Sequence, residues 1–460
     1  MGRNSISERW TSNLTRRSFL ATLAAAPALA QPADVTLNIA PTRVDVAPGH
    51  TISTTAYNGS APGPLIRLRQ GSPVTVDIFN RTDHAEYVHW HGFEIPAKID
   101  GAEEEHSLAV PAGSHLRYQM TPLQPGSRYV HSHSMAMDDL SQGTYSGQFA
   151  FVYVDPKRHP GRYDQEIFLA THEWEPYFIE GEDEETQGIE YLGETDWAPT
   201  SVEVAYRIRS INGKALGSGE PIRTKEGQRV LFHILNASAT ENIQLYLPGH
   251  EFVVVALDGN PVPRPRRVGL LELGAAERVD AFVDMKNPGV WILGSPDNDV
   301  RGSGLGILVE YAGKKGPATH AQPAGPAWDY RLFGKKPEAA TPAETLPMLI
   351  DRVTPNGNGM ERWTINSKNY NPSDEPRTLR KGTRYRLAFT NRTADAHPLH
   401  LHRNTFELTA APGVRKDIVL VKGFQTVEID VIPQQQGLTL FHCHQQMHMD
   451  HGFKTVFNVV

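Results

Sequence analysis

The chain has 460 residues, more than a single hydrophobic core normally organises, so about two to four domains are expected. Its 45 Lys and Arg residues against 52 Asp and Glu residues give a net charge of −7, which argues against a nucleic acid as partner. The longest apolar run is too short for a membrane-spanning helix, and a single cysteine excludes an internal disulfide. With 39 Gly and 34 Pro, the composition favours many turns and therefore a β-rich fold.

Residues 1–30 have the pattern of an export signal. Arg16 and Arg17 precede a short apolar run, residues 21–30, which ends in the small-residue sequence Ala-Leu-Ala. The pattern resembles a twin-arginine signal, so we expect the twin-arginine export machinery as a partner and a periplasmic or secreted protein. The alternative is an unstructured start that contains the arginine pair by chance.

One strand pattern occurs three times in the chain, at 71–82, 227–238 and 382–393. Each copy alternates apolar and polar residues, as a half-buried β-strand does, and then reaches an Asn followed two residues later by Ser or Thr. The copies start 156 and 155 residues apart, a distance that corresponds to a whole domain. We therefore predict three homologous β-domains. In this setting Asn80, Asn236 and Asn391 are interpreted as turn residues rather than glycan acceptors.

The predicted domains are residues 31–160, 161–313 and 345–460, with a linker at 314–344 that is rich in Pro, Ala, Gly and Lys. Each domain is expected to be a β-sandwich. Further strands are predicted at Gly147–Val154, Phe252–Leu257, Val290–Leu293 and Val427–Val431.

Half of the 20 histidines lie in four clusters. These ten residues are His89, His91, His131, His133, His397, His400, His402, His442, His444 and His448. The His-x-His pairs of the first domain recur in the third at a constant offset of 311 residues, and alternate residues on a strand point the same way. The second domain has Leu245 and Leu247 where the first has His89 and His91. We therefore predict a metal centre between the first and third domains, with the second as a spacer.

The single cysteine indicates which metal this is. Cys443 lies between His442 and His444, and the ten histidines with this thiol are enough for about three or four metal ions. Imidazole suits copper, zinc, iron and nickel, but two histidines with one thiolate describe a blue-copper centre. His397, Cys443 and His448 fit that set, whereas the first domain has Glu86 and Ser132 at the first two positions.

The four histidine motifs, in this order, resemble the multicopper oxidases of the three-domain laccase type. The resemblance covers nearly the whole chain after residue 30. It implies an all-β fold of three cupredoxin-like Greek-key β-sandwiches, with four coppers that couple the oxidation of a donor to the reduction of O₂ to water. Carried over residue by residue, it gives a type 1 copper on His397, Cys443 and His448, a type 2 copper on His89 and His400, one type 3 copper on His91, His131 and His444, and the other on His133, His402 and His442.

The resemblance also implies roles beyond the ligands. Phe453, ten residues after the cysteine, takes the axial position of the type 1 copper and cannot coordinate, which implies a raised potential; the alternative is that Phe453 only packs the core. Asp100 matches the acid that supplies protons, although an Asp-Gly turn is the alternative. Met449 stands where many relatives have a second acid, and Asp450 could replace that acid. Residues 103–105, three consecutive glutamates, are interpreted as a solvated turn, with a patch that faces an ion as the alternative.

The expected substrates are phenols and aromatic amines, which would deliver electrons close to His448. A metal-ion oxidase that acts on Cu(I) is the second hypothesis, favoured less because the methionines form no Met-rich insert. A copper-free scaffold and a two-domain nitrite reductase fit worse, since all eleven predicted ligands are present and the strand pattern occurs three times.

Overall fold

The computed structural model describes residues 32–158, 161–179, 203–319, 321–323, 325–336, 341–353 and 362–460. The predicted export signal lies outside these residues. Over the described residues the chain forms strands joined by turns and a few short helices. None of these helices has the length and apolar character needed to cross a membrane. The predicted all-β fold is therefore confirmed.

The first β-sandwich occupies residues 35–155. Its strands are β1 (Val35–Ala47), β2 (His50–Tyr57), β3 (Gly63–Arg69), β4 (Val74–Asn80), β5 (Val88–His91), β6 (His115–Met120), β7 (Gly126–Ser132) and β8 (Phe149–Asp155). One sheet has the order β2-β1-β4-β6 and the other the order β3-β8-β7-β5, so sequential neighbours are often not spatial neighbours, as in a Greek key. Short 3₁₀ helices lie at Ala97–Ile99, Glu103–Glu105 and Gly143–Tyr145.

The second β-sandwich follows at residues 165–311. Its strands are β9 (Gln165–Phe178), β10 (Val204–Ile211), β11 (Ile222–Thr224), β12 (Arg229–Asn236), β13 (Ile243–Leu245), β14 (Phe252–Leu257), β15 (Asn260–Val268), β16 (Leu271–Leu273), β17 (Arg278–Asp284), β18 (Val290–Gly294) and β19 (Gly306–Tyr311). Its main sheet has the order β10-β9-β12-β17-β14-β15. A five-residue helix, α1 (Asn298–Gly302), precedes β19.

The third β-sandwich occupies residues 344–459. Its strands are β20 (Glu344–Val353), β21 (Arg362–Ile365), β22 (Arg377–Leu379), β23 (Tyr385–Asn391), β24 (His397–Leu401), β25 (Phe406–Leu408), β26 (Arg415–Lys416), β27 (Ile418–Val421), β28 (Thr426–Val431), β29 (Gly437–Cys443) and β30 (Lys454–Val459). The sheet that carries the histidine motifs has the order β22-β30-β29-β24-β27. The helix α2 (Gln446–Asp450) connects β29 to β30.

The three predicted repeat strands occupy the same place in each sandwich. β4, β12 and β23 each pair in parallel with the first strand of their sandwich and antiparallel with a later one. The asparagines that end them, Asn80, Asn236 and Asn391, are all buried. Each amide nitrogen donates to main-chain carbonyls of the following loops, and each Oδ1 accepts from the main chain two residues on. The turn interpretation is thus confirmed, and the reason for the repeated Asn is a buried loop anchor.

The segment between the second and third sandwiches packs against both. Its 3₁₀ helix, Tyr330–Phe333, buries Phe333. The Tyr330 hydroxyl donates to Glu277 Oε1 of the second sandwich at 2.5 Å, and Lys335 donates its main-chain N–H to the carbonyl of Pro412 in the third. These contacts fix the two sandwiches relative to one another.

A buried imidazole lies at the contact between the first and second sandwiches. His233 Nδ1 lies 2.9 Å from Asp280 and its Nε2 lies 3.2 Å from Glu166, while Ser127 of the first sandwich donates to the same Asp280 oxygen. Burial alone would lower the pKa of His233, but the Asp280 and Glu166 carboxylates outweigh it and raise this pKa to about 9.

Because the folded-state pKa of His233 is raised, its contribution to stability is complete below its ordinary value near pH 6.5 and is lost as the pH rises through about 9. We expect His233→Gln to lower the unfolding temperature most near pH 6 and least near pH 10, which calorimetry of both proteins across this range would measure. A temperature difference that stays constant over the range would contradict the assignment.

Candidate metal centre

Two pairs of adjacent strands carry the histidine motifs. β5 pairs with β7 so that His89 lies beside His131, and β24 pairs with β29 so that His400 lies beside His442. Alternate residues on a strand share a face, so the two imidazoles of each His-x-His motif lie on one side of the sheet. This holds also where the second histidine comes directly after the end of the strand. Each strand pair therefore presents four imidazoles on one face.

The two faces meet where the first and third sandwiches are in contact. Ring centroids of His89 and His400 are 5.7 Å apart, those of His91 and His400 are 3.8 Å apart, and those of His133 and His402 are 4.9 Å apart. All eight rings are buried. The predicted juxtaposition of both ends of the sequence is thus present in the structure.

One nitrogen of nearly every ring is held by the protein. The partners are the Asp100 carbonyl for His89, the Asp417 carboxylate for His91, the Ser132 carbonyl for His131, the Asp417 carbonyl for His400, the Asp100 carboxylate for His402, the Cys443 carbonyl for His442 and the Tyr129 hydroxyl for His444, at 2.7–3.1 Å. Such bonds fix the tautomer and the orientation of a metal-binding imidazole.

The opposite nitrogens point into the space between the rings. Six of them are buried without a hydrogen-bond partner: His89 Nε2, His91 Nδ1, His131 Nε2, His133 Nε2, His400 Nε2 and His444 Nδ1. The remaining two, His402 Nε2 and His442 Nε2, face each other at 2.9 Å. Buried acceptors without partners cost free energy, which a bound cation would remove. The residues present therefore fit a group of metal ions.

Burial also keeps seven rings of the cluster in the neutral form that binds metals. It lowers the pKa of His442 to about 3 and holds the pKa values of His91, His131, His133, His400, His402 and His444 well below their usual range, with further lowering by the neighbouring imidazoles. Neutral imidazole offers a lone pair at neutral pH, so metal binding here requires no loss of protons from these rings.

A second cluster lies on the other face of the same sheet. Cys443 pairs with Leu399, so its thiol points away from His442 and His444 and towards His397. Cys443 Sγ lies 3.8 Å from His397 Nδ1 and 3.6 Å from His448 Nδ1, all three residues being buried. Burial raises the pKa of the Cys443 thiol, so a thiolate here needs a bound cation. The geometry fits a three-coordinate copper site.

Two aromatic rings enclose this second cluster. Phe453 is fully buried and packs edge-on against His397 with ring centroids 5.0 Å apart. Trp363 stacks on His448 with centroids 3.7 Å apart. Trp363 could not be predicted as part of this cluster, because its short strand β21 carries no motif. These rings exclude water and offer no strong donor atom to a metal.

Asp100 lies against the eight-histidine cluster. Its carboxylate is fully buried and accepts a hydrogen bond from His402 Nδ1 at 2.8 Å, and the same oxygen is 3.2 Å from His89 Nδ1. The other carboxylate oxygen is buried without a partner. The residue thus contacts imidazoles of both sandwiches, which an ordinary Asp-Gly turn would not require.

The interpretation of residues 103–105 as a solvated turn holds for Glu103, which is exposed, but is wrong for Glu105. Glu105 is buried: its Oε1 accepts from the Leu440 main-chain N–H at 2.8 Å and its Oε2 lies 3.0 Å from Arg403 Nε. Glu104 is partly buried and forms an ion pair with the buried Lys454, with Oε1 and Nζ 2.6 Å apart. Burial and the nearby Asp100 raise the pKa of Glu105. The acidic segment therefore joins the first sandwich to the third.

Asp450, considered as a substitute acid, has a different position. One oxygen accepts from the main-chain N–H groups of Ala136 and Met137 at 2.9 and 2.8 Å, and Gln446 donates to both oxygens. Asp450, which lies in helix α2, thus anchors the loop of the first sandwich that contains Ala136 and Met137. This arrangement gives Asp450 a structural role.

The first sandwich has polar residues where the third has the thiol cluster. Glu86 is buried and accepts hydrogen bonds from Ser132, Ser134 and Gln148 at 3.0–3.2 Å. His84 Nε2 also lies 3.0 Å from Glu86 Oε1, so protein groups alone satisfy this carboxylate. The hydrogen bonds of Glu86 agree with the expectation that only the third domain has the thiol-containing centre.

Comparison with known proteins identifies the family. Three family models, each described as "Multicopper oxidase", match residues 38–159, 190–311 and 344–460. The chain belongs to the multicopper oxidase family. Members are oxidoreductases that use copper in type 1, type 2 and type 3 sites, and the two clusters described above are consistent with those sites. The predicted family, copper cofactor and enzyme class are confirmed.

Curated relatives span most of the chain. Multicopper oxidase MmcO of Mycobacterium tuberculosis is 29% identical over an alignment that covers 94% of this chain and 88% of the relative. A copper resistance protein A homolog of Pseudomonas syringae pv. tomato is 25% identical and covers 60% of this chain and 51% of its own length.

Solved multicopper oxidase structures share the fold. The multi-copper oxidase from Pseudomonas thermotolerans has a TM-score of 0.71 at 24% identity, covering 92% of this chain and 98% of its own. Fet3p, a multicopper oxidase that functions in iron import, has a TM-score of 0.76 at 18% identity, covering 92% and 90%. These multicopper oxidase structures confirm the predicted three cupredoxin-like sandwiches.

Proposed function

We propose that this multicopper oxidase takes electrons singly from phenols and aromatic amines and passes them to O₂, which becomes water. The proposed ligands are His397, Cys443 and His448 for the type 1 copper, His89 and His400 for the type 2 copper, His91, His131 and His444 for one type 3 copper, and His133, His402 and His442 for the other. The observation that carries the proposal is the set of unpartnered ring nitrogens that two strand pairs, from opposite ends of the sequence, direct into one buried space.

The backbone around Cys443 supplies the connection between the two clusters. Bound copper would supply the one-electron oxidation of donors and the four-electron reduction of O₂. Because consecutive residues of β29 point to opposite faces, the thiol of Cys443 lies in one cluster and the rings of His442 and His444 in the other. The covalent path between them is therefore a few bonds long.

Donors are proposed to give up electrons at the His448 ring. This residue is 5% exposed, whereas His397 and Cys443 are fully buried. Trp363 covers one face of the ring. Of the three residues, His448 is therefore the one proposed to lie nearest to a donor, which favours electron transfer without coordination of the donor by the thiol.

Metal analysis and the visible spectrum of the purified protein test the ligand assignment. We expect about four copper ions per chain, as eleven N and S ligands would hold, together with a strong thiolate-to-copper band. A colourless protein loaded with zinc would exclude the proposal.

Oxidation of Cu(I) is the second candidate function. Met135 and Met137 are 42% and 40% exposed, and Asp450 anchors their loop to helix α2, which carries His448. Thioether sulfur is a soft ligand that suits Cu(I). Relatives named copper resistance protein A agree with a role in copper handling.

Turnover of a dimethoxyphenol and of Cu(I) by the same preparation separates the two candidates. For the proposed phenol oxidase, the phenol has the higher kcat/KM, and replacing Met135 and Met137 together by leucine leaves both values nearly unchanged. A kcat/KM for Cu(I) that exceeds that for the phenol, and falls about tenfold or more in the leucine variant, would instead favour the metal-ion oxidase.

Phe453 is proposed to keep the type 1 potential high by withholding an axial donor. We expect Phe453→Met, which adds a thioether at the same place, to lower the potential by at least about 60 mV, a tenfold change in a one-electron equilibrium. Redox titration of the blue band measures this shift. Phe453→Leu, which adds no donor, is the matched control, and an equal shift in both variants would contradict the role given to Phe453.

Export by the twin-arginine route completes the proposal. It is supported by Arg16-Arg17 before a short apolar segment in the sequence. Replacing both arginines by lysine is expected to leave the protein in the cytoplasm, as cell fractionation would show. Unchanged export of that variant would exclude this route.

A further inference from the structure

The middle sandwich supplies none of the proposed copper ligands, yet one of its side chains reaches the cluster. Arg278, the first residue of β17, is completely buried. Its Nη1 and Nη2 donate to the two carboxylate oxygens of Asp417 at 2.7 and 2.6 Å. Asp417 belongs to the third sandwich, where it lies between β26 and β27. The pair is a two-bonded fork, the geometry in which arginine fixes a carboxylate most firmly.

Asp417 in turn contacts two histidines of the cluster. Its Oδ1, the oxygen that accepts from Arg278 Nη1, accepts from His91 Nε2 at 3.1 Å. Its main-chain carbonyl accepts from His400 Nδ1 at 2.7 Å. The opposite nitrogens, His91 Nδ1 and His400 Nε2, are among those that point into the cluster without a partner.

The surroundings are built to hold this fork in place. Arg278 also donates to the Ala276 carbonyl at 3.0 Å and lies 3.7 Å from the Asp258 carboxylate. Gly92, directly after His91, has a φ of +86°, and a Cβ there would lie 2.7 Å from Asp417 Oδ2 and 2.8 Å from Arg278 Nη2. Only glycine leaves room for the fork at this distance.

We propose that Arg278 is a positioning residue for the copper cluster: through Asp417 it fixes the ring orientation of His91 and His400, so the middle sandwich takes part in building a site to which it gives no ligand. The inference rests on the proposed ligand set. It assigns the second domain more than the spacer role predicted from Leu245 and Leu247.

Removal of the fork should weaken type 2 copper and leave type 1 copper in place. In Arg278→Gln the Asp417 carboxylate loses both bonds that orient it, and partners behind a metal ligand typically contribute about 10- to 100-fold to metal affinity. The type 1 residues do not touch Asp417 in the described contacts. Cu(II) titration of type 2-depleted protein, followed by electron paramagnetic resonance, measures the affinity, and the blue band serves as the internal reference.

Two further variants make the outcome decisive. Arg278→Lys keeps the charge but cannot form both bonds, so it should show a smaller loss of type 2 affinity with a normal blue band. His233→Gln removes another buried polar side chain of the middle sandwich that contacts neither histidine, and it should bind Cu(II) as the wild type does. If Arg278→Gln loses the blue band as well, Arg278→Lys decides alone, and wild-type type 2 affinity in Arg278→Lys would then overturn the inference.

The inference would be overturned if Arg278→Lys and Arg278→Gln both bound Cu(II) with wild-type affinity and gave an unchanged type 2 signal. It would also be overturned if His233→Gln lost as much Cu(II) affinity as the Arg278 variants. A wild-type protein without type 1 and type 2 copper signals would instead defeat the ligand assignment itself, so the two failures are distinguishable.

Discussion

Cys443→Ser is expected to abolish the blue absorption and to reduce oxidation of every donor to the background rate. The thiol lies 3.6 and 3.8 Å from the Nδ1 atoms of His448 and His397 and is the sulfur donor of its cluster. A serine hydroxyl at this buried position cannot supply a thiolate, and the intense colour of such centres comes from the copper–thiolate bond. The same substitution removes the start of the covalent path to His442 and His444.

The variant should still hold copper at the eight-histidine cluster. Cys443 points to the opposite face of the sheet, so its replacement leaves the imidazole nitrogens of that cluster in place. A type 2 copper signal in electron paramagnetic resonance therefore serves as proof of folding. A blue band that persists in Cys443→Ser would mean that the type 1 centre lies elsewhere.

Asp100→Asn is expected to slow the reduction of O₂ by about 100-fold or more while the type 1 copper still accepts electrons at the normal rate. Asp100 is fully buried beside the cluster, and its carboxylate accepts from His402 at 2.8 Å. Asparagine keeps the shape and can still accept that bond, but it cannot hold or deliver a proton. Since the conversion of O₂ to water consumes protons, the step that suffers is reoxidation.

Stopped-flow measurement of the blue band separates the two half-reactions. Bleaching by a phenol without O₂ should match the wild type, and recovery of the colour on mixing with O₂ should be slow. Asp430→Asn is the matched control, because Asp430 is a buried carboxylate of the third sandwich whose partners are Arg384 and Arg386 rather than histidines. Recovery at the wild-type rate in Asp100→Asn would contradict its role in proton delivery.

The main features of the centre could be predicted because they follow from the two-residue period of a strand. The constant offset of 311 residues between the motifs predicts two strand pairs with the same geometry. In the structure these pairs are β5 with β7 and β24 with β29. The same two-residue period directs the Cys443 side chain to the face of the sheet opposite to that of His442 and His444. Tyr129, which is hydrogen-bonded to His444, could have been found in this way too, as it lies two residues before His131.

Other residues could not be predicted because their environment is created by distant parts of the chain. Three consecutive glutamates look solvated in sequence, yet Glu105 is buried beside Arg403 and Glu104 is partly buried beside Lys454, about 300 and 350 residues further along the chain. Local charge density says nothing about such partners. Arg278 and Asp417 belong to no periodic pattern, so their contact and its role cannot be predicted before the arrangement of the second and third sandwiches is known.

Anomalous diffraction at the copper absorption edge, from crystals of the copper-loaded protein, tests the central claim most directly. We predict one peak between His397, Cys443 and His448, and a separate group of three enclosed by the eight histidines that the first and third sandwiches contribute. Absence of copper at the contact between these two sandwiches would contradict the account.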